Sequence, residues 1–171
     1  MPPALIFLIH LVLGYVPWLL CFSVYILPRL KAMERFEAFR AVATLHSFRF
    51  YGLAFLVPGI VGPGLPQGFA MSAAYADFTT GVLAMLALLS ARIRPLFWLF
   101  VVAFNLTGIT DLVVDYYHGV QLGLPALAGE LGGMYPVLML YVPLLMITHL
   151  VAIYWLLQAA AARTFTAART A

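Results

Sequence analysis

The sequence predicts an all-α membrane protein: a bundle of five transmembrane helices, with the N-terminus outside and the C-terminus in the cytoplasm. Three observations carry this prediction. They are a composition too apolar for a soluble fold, five apolar runs of spanning length, and basic residues confined to alternate connections.

Of the 171 residues, 65% are hydrophobic and only 9% are charged. Mean hydropathy is +1.04. A soluble domain carries about 25% charged residues and under half apolar ones. A small domain leaves too much surface exposed to hide this much apolar area, whereas lipid removes the problem. The length allows one domain, residues 1–171, with no separate soluble module. The net charge of +3 is no nucleic-acid signal, because the basic residues lie in short connections between apolar runs. The single cysteine, Cys21, allows no intrachain disulfide and no cysteine-based zinc or iron–sulfur site from this chain alone.

A membrane helix needs about 20 apolar residues. The runs 4–27, 40–61, 69–91, 95–117 and 135–160 qualify. The first lacks a basic leader and is too long for a signal-peptide core, so it reads as a retained span. The second follows the charged stretch from Pro28 to Arg40 and carries Pro58 inside it. The third follows Gly62-Pro63-Gly64-Leu65-Pro66-Gln67-Gly68, which cannot continue a helix. The fourth follows the tight turn Arg92-Ile93-Arg94, with Pro95 placed to start it. The fifth follows a glycine-rich loop from Gly119 to Gly133 and contains Pro143. In a helix, Pro58 and Pro143 would free the carbonyls of Ala54 and Met139. The alanine-rich tail from Gln158 reads as the frayed end of the last helix.

Topology follows from the positive-inside rule. Arg29, Lys31, Arg35 and Arg40 occupy one connection, Arg92 and Arg94 another, and Arg163 and Arg169 the tail. The alternate connections, 62–68 and 119–133, hold no Lys or Arg. The expected location is the bacterial inner (plasma) membrane, as a multi-pass protein. An odd number of helices argues against a simple inverted-repeat transporter.

Polar residues inside spans are costly and face a bundle interior or cavity. His46 and Arg49 share one helix face at i, i+3. Asn105, Gly108, Asp111, Asp115 and His118 trace one stripe at helical period. Asp77 lies on the third helix and His149 on the fifth. The helix rise places His46 about 9 Å and His149 about 14–18 Å from the cytoplasmic side. Arg49 is expected to pair with one aspartate, Asp77 more readily than Asp111, because an unpaired buried charge costs more. Asp77 and Asp111 outnumber Arg49, so one carries a proton, or a cation, proton path or polar ligand sits there.

Each feature also has a plainer reading. Arg49 with one aspartate can serve as a packing clamp, and Asn105 with Gly108 as interhelical glue. Asp115 and His118 are expected to be solvated near the outer interface, and His10 to make a helix contact.

These residues also carry a resemblance. Leu45-His46-Ser47-Phe48-Arg49-Phe50-Tyr51-Gly52, Leu65-Pro66-Gln67-Gly68-Phe69-Ala70 with Asp77, Asn105-Leu106-Thr107-Gly108-Ile109-Thr110-Asp111-Leu112, and Val142-Pro143 with His149 form a set. The set resembles a group of small uncharacterised bacterial integral membrane proteins over about residues 45–155. Ala76 before Asp77 departs from the Gly-Asp of that group and bears on packing. The resemblance implies a residue list and no activity.

Four function readings follow. In the first, a buried polar pocket binds or converts a small or lipid-like ligand. Arg49, Asp77 and Asp111 are its catalytic candidates: Arg49 holds an anionic or carbonyl group, and an aspartate acts as acid or base. His46, Asn105 and His149 are its ligand-binding candidates. In the second, polar residues at graded depth form a proton, ion or solute path. In the third, His46 and His149 with Asp77 bind a metal or haem, although their difference in depth, roughly 6 Å, weighs against haem. In the fourth, the chain is an accessory subunit of a larger membrane complex. Membrane lipid and a homo-oligomer are the other expected partners, nucleic acid is not, and the sequence names no cofactor.

Overall fold

A computed structural model describes the backbone of residues 1–170 and the side chains of residues 1–162. Among the described residues the fold is helical throughout, with no strand. Helix α1 spans Pro3–Ala32. Helix α2, Arg35–Ser47, runs on into a 3-10 stretch, Phe48–Leu56. Helix α3 covers Gln67–Leu89 and α4 covers Arg94–Gln121. A further 3-10 segment, Leu124–Met134, leads to α5, Val142–Thr170. The side chains of Arg163 and Arg169 lie outside those described.

Among the described residues, four helices are long and apolar enough to cross a membrane: α1, α3, α4 and the run Val137–Ala162. The expected single helix over 40–61 is instead composite, α-helical to Ser47 and 3-10 beyond it. His46, Arg49, Gly52 and Phe55 are all buried, while Phe48, Phe50, Tyr51 and Leu56 are exposed. A burial period of three matches the three residues per turn of a 3-10 helix, in which i and i+3 eclipse. The helix stops at Leu56 rather than running through Pro58. Val57 is extended at φ −79°, ψ 123°, the conformation that a following proline favours. The Ala54 carbonyl is taken by the Val57 N–H at 3.1 Å.

Pro17, Pro28 and Pro143 do stay inside helices, and the last two are each preceded by a π-turn. Phe22–Ile26 comes before Pro28, and Val137–Tyr141 before Pro143. A proline ring clashes with the carbonyl four residues earlier, so the ladder widens. Leu27 N–H accordingly bonds Phe22 O, and Val142 N–H bonds Val137 O. Helix α1 docks on the loosened turn before α5. Trp18 Nε1 donates to Leu140 O at 2.6 Å. Gly14 lies directly against Met139 O, where a side chain has no room.

The expected loop over 119–133 is largely helical and packed. Helix α4 persists to Gln121, and Leu124, Leu131 and Met134 are buried. Glu130 clasps this segment to the turn after the 3-10 stretch. Its carboxylate accepts from Gly64 N–H at 2.8 Å, and its carbonyl accepts from Gly62 N–H at 2.7 Å. Gly133 N–H donates to Ile60 O at 2.8 Å. Gly132 turns there at φ 49°, with its α-carbon facing the Ile60 carbonyl, so glycine is needed twice over.

The apolar interior divides into two clusters. One gathers Phe36, Phe39, Phe97, Phe104 and Trp155 at the end of the bundle that carries Arg35 and Arg94. The other gathers Phe7, Phe55, Phe69, Leu131 and Met139 beneath the Leu124–Met134 segment.

Candidate functional site

At the junction of the two clusters lies a polar network centred on Arg49, whose side chain has no exposed surface. Its Nε donates to Asp77 Oδ1 at 2.6 Å. Its Nη2 forms an ion pair with Asp111 Oδ2. Its Nη1 lies 3.4 Å from the Gly108 carbonyl and 3.1 Å from His149 Nε2. The expectation of a single pair is therefore corrected, because the planar guanidinium fork reaches carboxylates on α3 and α4 together.

The contacts fix the state of His149. Arginine has donors only, so Nε2 must accept and Nδ1 must carry the proton. Nδ1 then donates to Asn105 Oδ1 at 3.0 Å. Asn105 Nδ2 in turn donates to the Val101 carbonyl at 2.8 Å. His46 Nε2 meets the Thr148 hydroxyl at 3.0 Å, and its ring stacks on that of His149 at 3.9 Å between centroids. The estimated difference in depth between the two histidines is thus overturned. They touch, because α5 brings His149 level with His46, and no gap for a haem separates them.

All six residues singled out from the sequence, Arg49, Asp77, Asp111, His46, Asn105 and His149, join one connected network. Close approach depends on glycine at three points. A β-carbon at Gly108 would lie 2.6 Å from Arg49 Nη1, and one at Gly81 2.7 Å from the Phe50 nitrogen. At Gly52 it would lie 2.8 Å from Asp77 Cγ. Asn105 and Gly108 do act as interhelical glue, within this network. His10 makes the expected helix contact, with Nδ1 at 2.8 Å from the Tyr135 hydroxyl.

Beside the network, under the Leu124–Met134 segment, is a cavity of about 140 Å³. Its wall is apolar except for Asp77, Asp115 and Tyr116. Asp77 keeps 21% of its side chain exposed, against 3% for Asp111. Asp115, on the polar stripe of α4, is expected from the sequence to be solvated near the outer interface. Far from being solvated, its Oδ1 is buried with no hydrogen-bond partner among the described residues. The signal was present, since Asp115 lies one helical turn beyond Asp111 on the same face. Tyr116 is held by a 2.8 Å hydrogen bond to Tyr15 across the α1–α4 seam. Exposed Leu8 and Val120 stand at the cavity rim.

The role expected for Arg49 needs correction as well. With all three nitrogens engaged and no exposed surface, it is closed to an anionic ligand. The polar side chains that face the cavity are two carboxyl groups and one phenol. Among the described residues, no group of three or more His, Cys, Asp or Glu side chains converges as a metal site would.

The sequence matches the family described as Domain of unknown function (DUF8737) over residues 6–157, and the chain belongs to that family. No curated protein and no solved structure matches it.

Arg49→Ala is expected to cost about 3–5 kcal/mol, because two buried carboxylates lose their partner. Combining Arg49→Met with Asp77→Asn and Asp111→Asn removes the charges together and should recover part of that loss. Unfolding in mixed micelles, titrated with dodecyl sulfate, measures both. A triple variant no more stable than Arg49→Ala contradicts the assignment.

Proposed function

We propose that this chain is a five-span protein of the bacterial inner membrane that binds or converts a small, lipid-like ligand in the cavity beside Arg49. The carrying observation is the meeting of an apolar cavity with a carboxylate floor fixed by the Arg49 network. A volume near 140 Å³ suits a group the size of benzene, and an apolar rim suits a chain that continues into lipid.

The fifth span is the composite of α2 and the 3-10 stretch. From Arg40 to Ser47 the α-helical rise gives about 12 Å, and the nine residues of the 3-10 stretch add about 18 Å. The sum matches a hydrocarbon core of about 30 Å. Arg35 over Trp155 and Arg94 over Phe36 put basic residues at one end of the bundle, which supports a cytoplasmic assignment for that end. Glu130 belongs to the other end, and the N-terminus is then outside. Likeness to small bacterial integral membrane proteins fits this arrangement.

Conduction has less support. On the side away from the cavity, the network ends through Asn105 on the Val101 carbonyl. Phe97, Phe104 and Val101 are fully buried there.

Cysteine labelling tests the topology. In a Cys21→Ser background, Met33→Cys and Ile93→Cys should label only after permeabilisation, and Gly129→Cys should label from outside intact cells. A four-span protein would instead put positions 33 and 93 on opposite sides.

Native mass spectrometry of gently purified protein tests the pocket. A stoichiometric small amphiphile is expected, and Val137→Trp, which fills the cavity, should remove it from a folded protein. A mass that survives the filling places the ligand elsewhere and contradicts the proposal.

A further inference from the structure

We infer that the cavity selects an amphiphile with a primary ammonium head. This rests on the pocket reading above and specifies its ligand chemistry. The side chains that offer polar atoms to the cavity are Asp77, Asp115 and Tyr116. Tyr116 shares its hydroxyl with Tyr15 and Asp77 gives Oδ1 to Arg49, which leaves Asp115 as the unpartnered carboxyl and the second Asp77 oxygen beside it as the recognition groups. Among the described residues no Lys, Arg, His, Asn, Gln, Ser or Thr side chain lines the cavity, so an anionic head would find no cationic partner and would meet two carboxyl groups beside the Tyr116 hydroxyl.

The arithmetic of charge points the same way. Asp77, Asp111 and Asp115 face a single guanidinium, and that guanidinium is consumed by the first two. Asp115 is left with a buried oxygen that accepts nothing from the described residues. A buried acceptor without a donor is costly, and a buried anion more so. A primary ammonium supplies both a positive charge and N–H donors, whereas a quaternary one supplies only charge. The space holds a head and a few carbons, and exposed Leu8 and Val120 at the rim give the rest of the chain an apolar exit.

Binding of dodecylamine, dodecanol and dodecanoate to the purified full chain in a neutral detergent tests this, read by native mass spectrometry titration. Dodecylamine should bind at least about tenfold more tightly than dodecanol, with dodecanoate weakest. Asp115→Asn should erase most of the amine preference while keeping dodecanol binding. If that variant fails to fold, the order of the three probes on the unaltered protein still decides. Equal binding of all three, or tightest binding of dodecanoate, overturns the ammonium inference and leaves the pocket standing. Binding of none removes the pocket reading and this inference with it.

Discussion

One guanidinium, shared between carboxylates on two different helices, is the interaction on which the rest of the structure depends. Burying Arg49 with only one partner would leave part of its fork unsatisfied where water is scarce, and that costs several kcal/mol per ion. The chain solves this by completing the geometry. Asp77 takes Nε, Asp111 takes Nη2, and the Gly108 carbonyl and His149 surround Nη1. Each contact demands a short distance between backbones, which Gly52, Gly81 and Gly108 provide by having no side chain. The 3-10 stretch belongs to the same solution, because its period of three turns His46, Arg49 and Gly52 inward together.

The network divides a solid half of the bundle from a hollow one. Toward the basic end, Phe36 on Phe97 at 4.5 Å and Phe39 on Trp98 at 5.2 Å fill the interior with aromatic contacts. Toward the other end, the Leu124–Met134 segment arches over the cavity and is tied down by Glu130. Arg49 faces neither. It holds Asp77 with one carboxylate edge toward the cavity, while Asp115, one turn along α4, adds a second. A site closed on one side and apolar at its rim fits a ligand that enters from lipid better than a solute that passes through.

Much of this was legible in the sequence. Hydropathy located the long apolar helices, and the cost of polar groups in apolar runs picked out His46, Arg49, Asp77, Asn105, Asp111 and His149, which the fold joins. What escaped has physical causes. A depth estimate that assumes straight α-helices cannot foresee the 3-10 rise after Ser47 or the π-turn before Pro143. The guanidinium fork reaches two carboxylates at once, so one expected pair became two, and the packing of α2 against α5 sets the two histidine rings in contact. The same estimate set Asp115 among solvated groups, although its spacing from Asp111 already placed it on the buried stripe. Composition alone made 119–133 look like a loop, since glycine suits a tight 3-10 crossing as well as an exposed turn. The inward turn at His46, Arg49 and Gly52 was readable as a period of three, and only the habit of reading every membrane span as α-helix hid it.

The central claim is that one arginine bridges two aspartates inside the bundle. Solid-state NMR dipolar recoupling in bilayers, between nitrogen-labelled arginine and carbon-labelled aspartate carboxyls, measures it directly, with Arg49→Lys to assign the signal. The account predicts two carboxyl carbons within about 4 Å of the Arg49 guanidinium nitrogens, one nearest Nε and one nearest Nη. A single close carboxyl, or none, would contradict it.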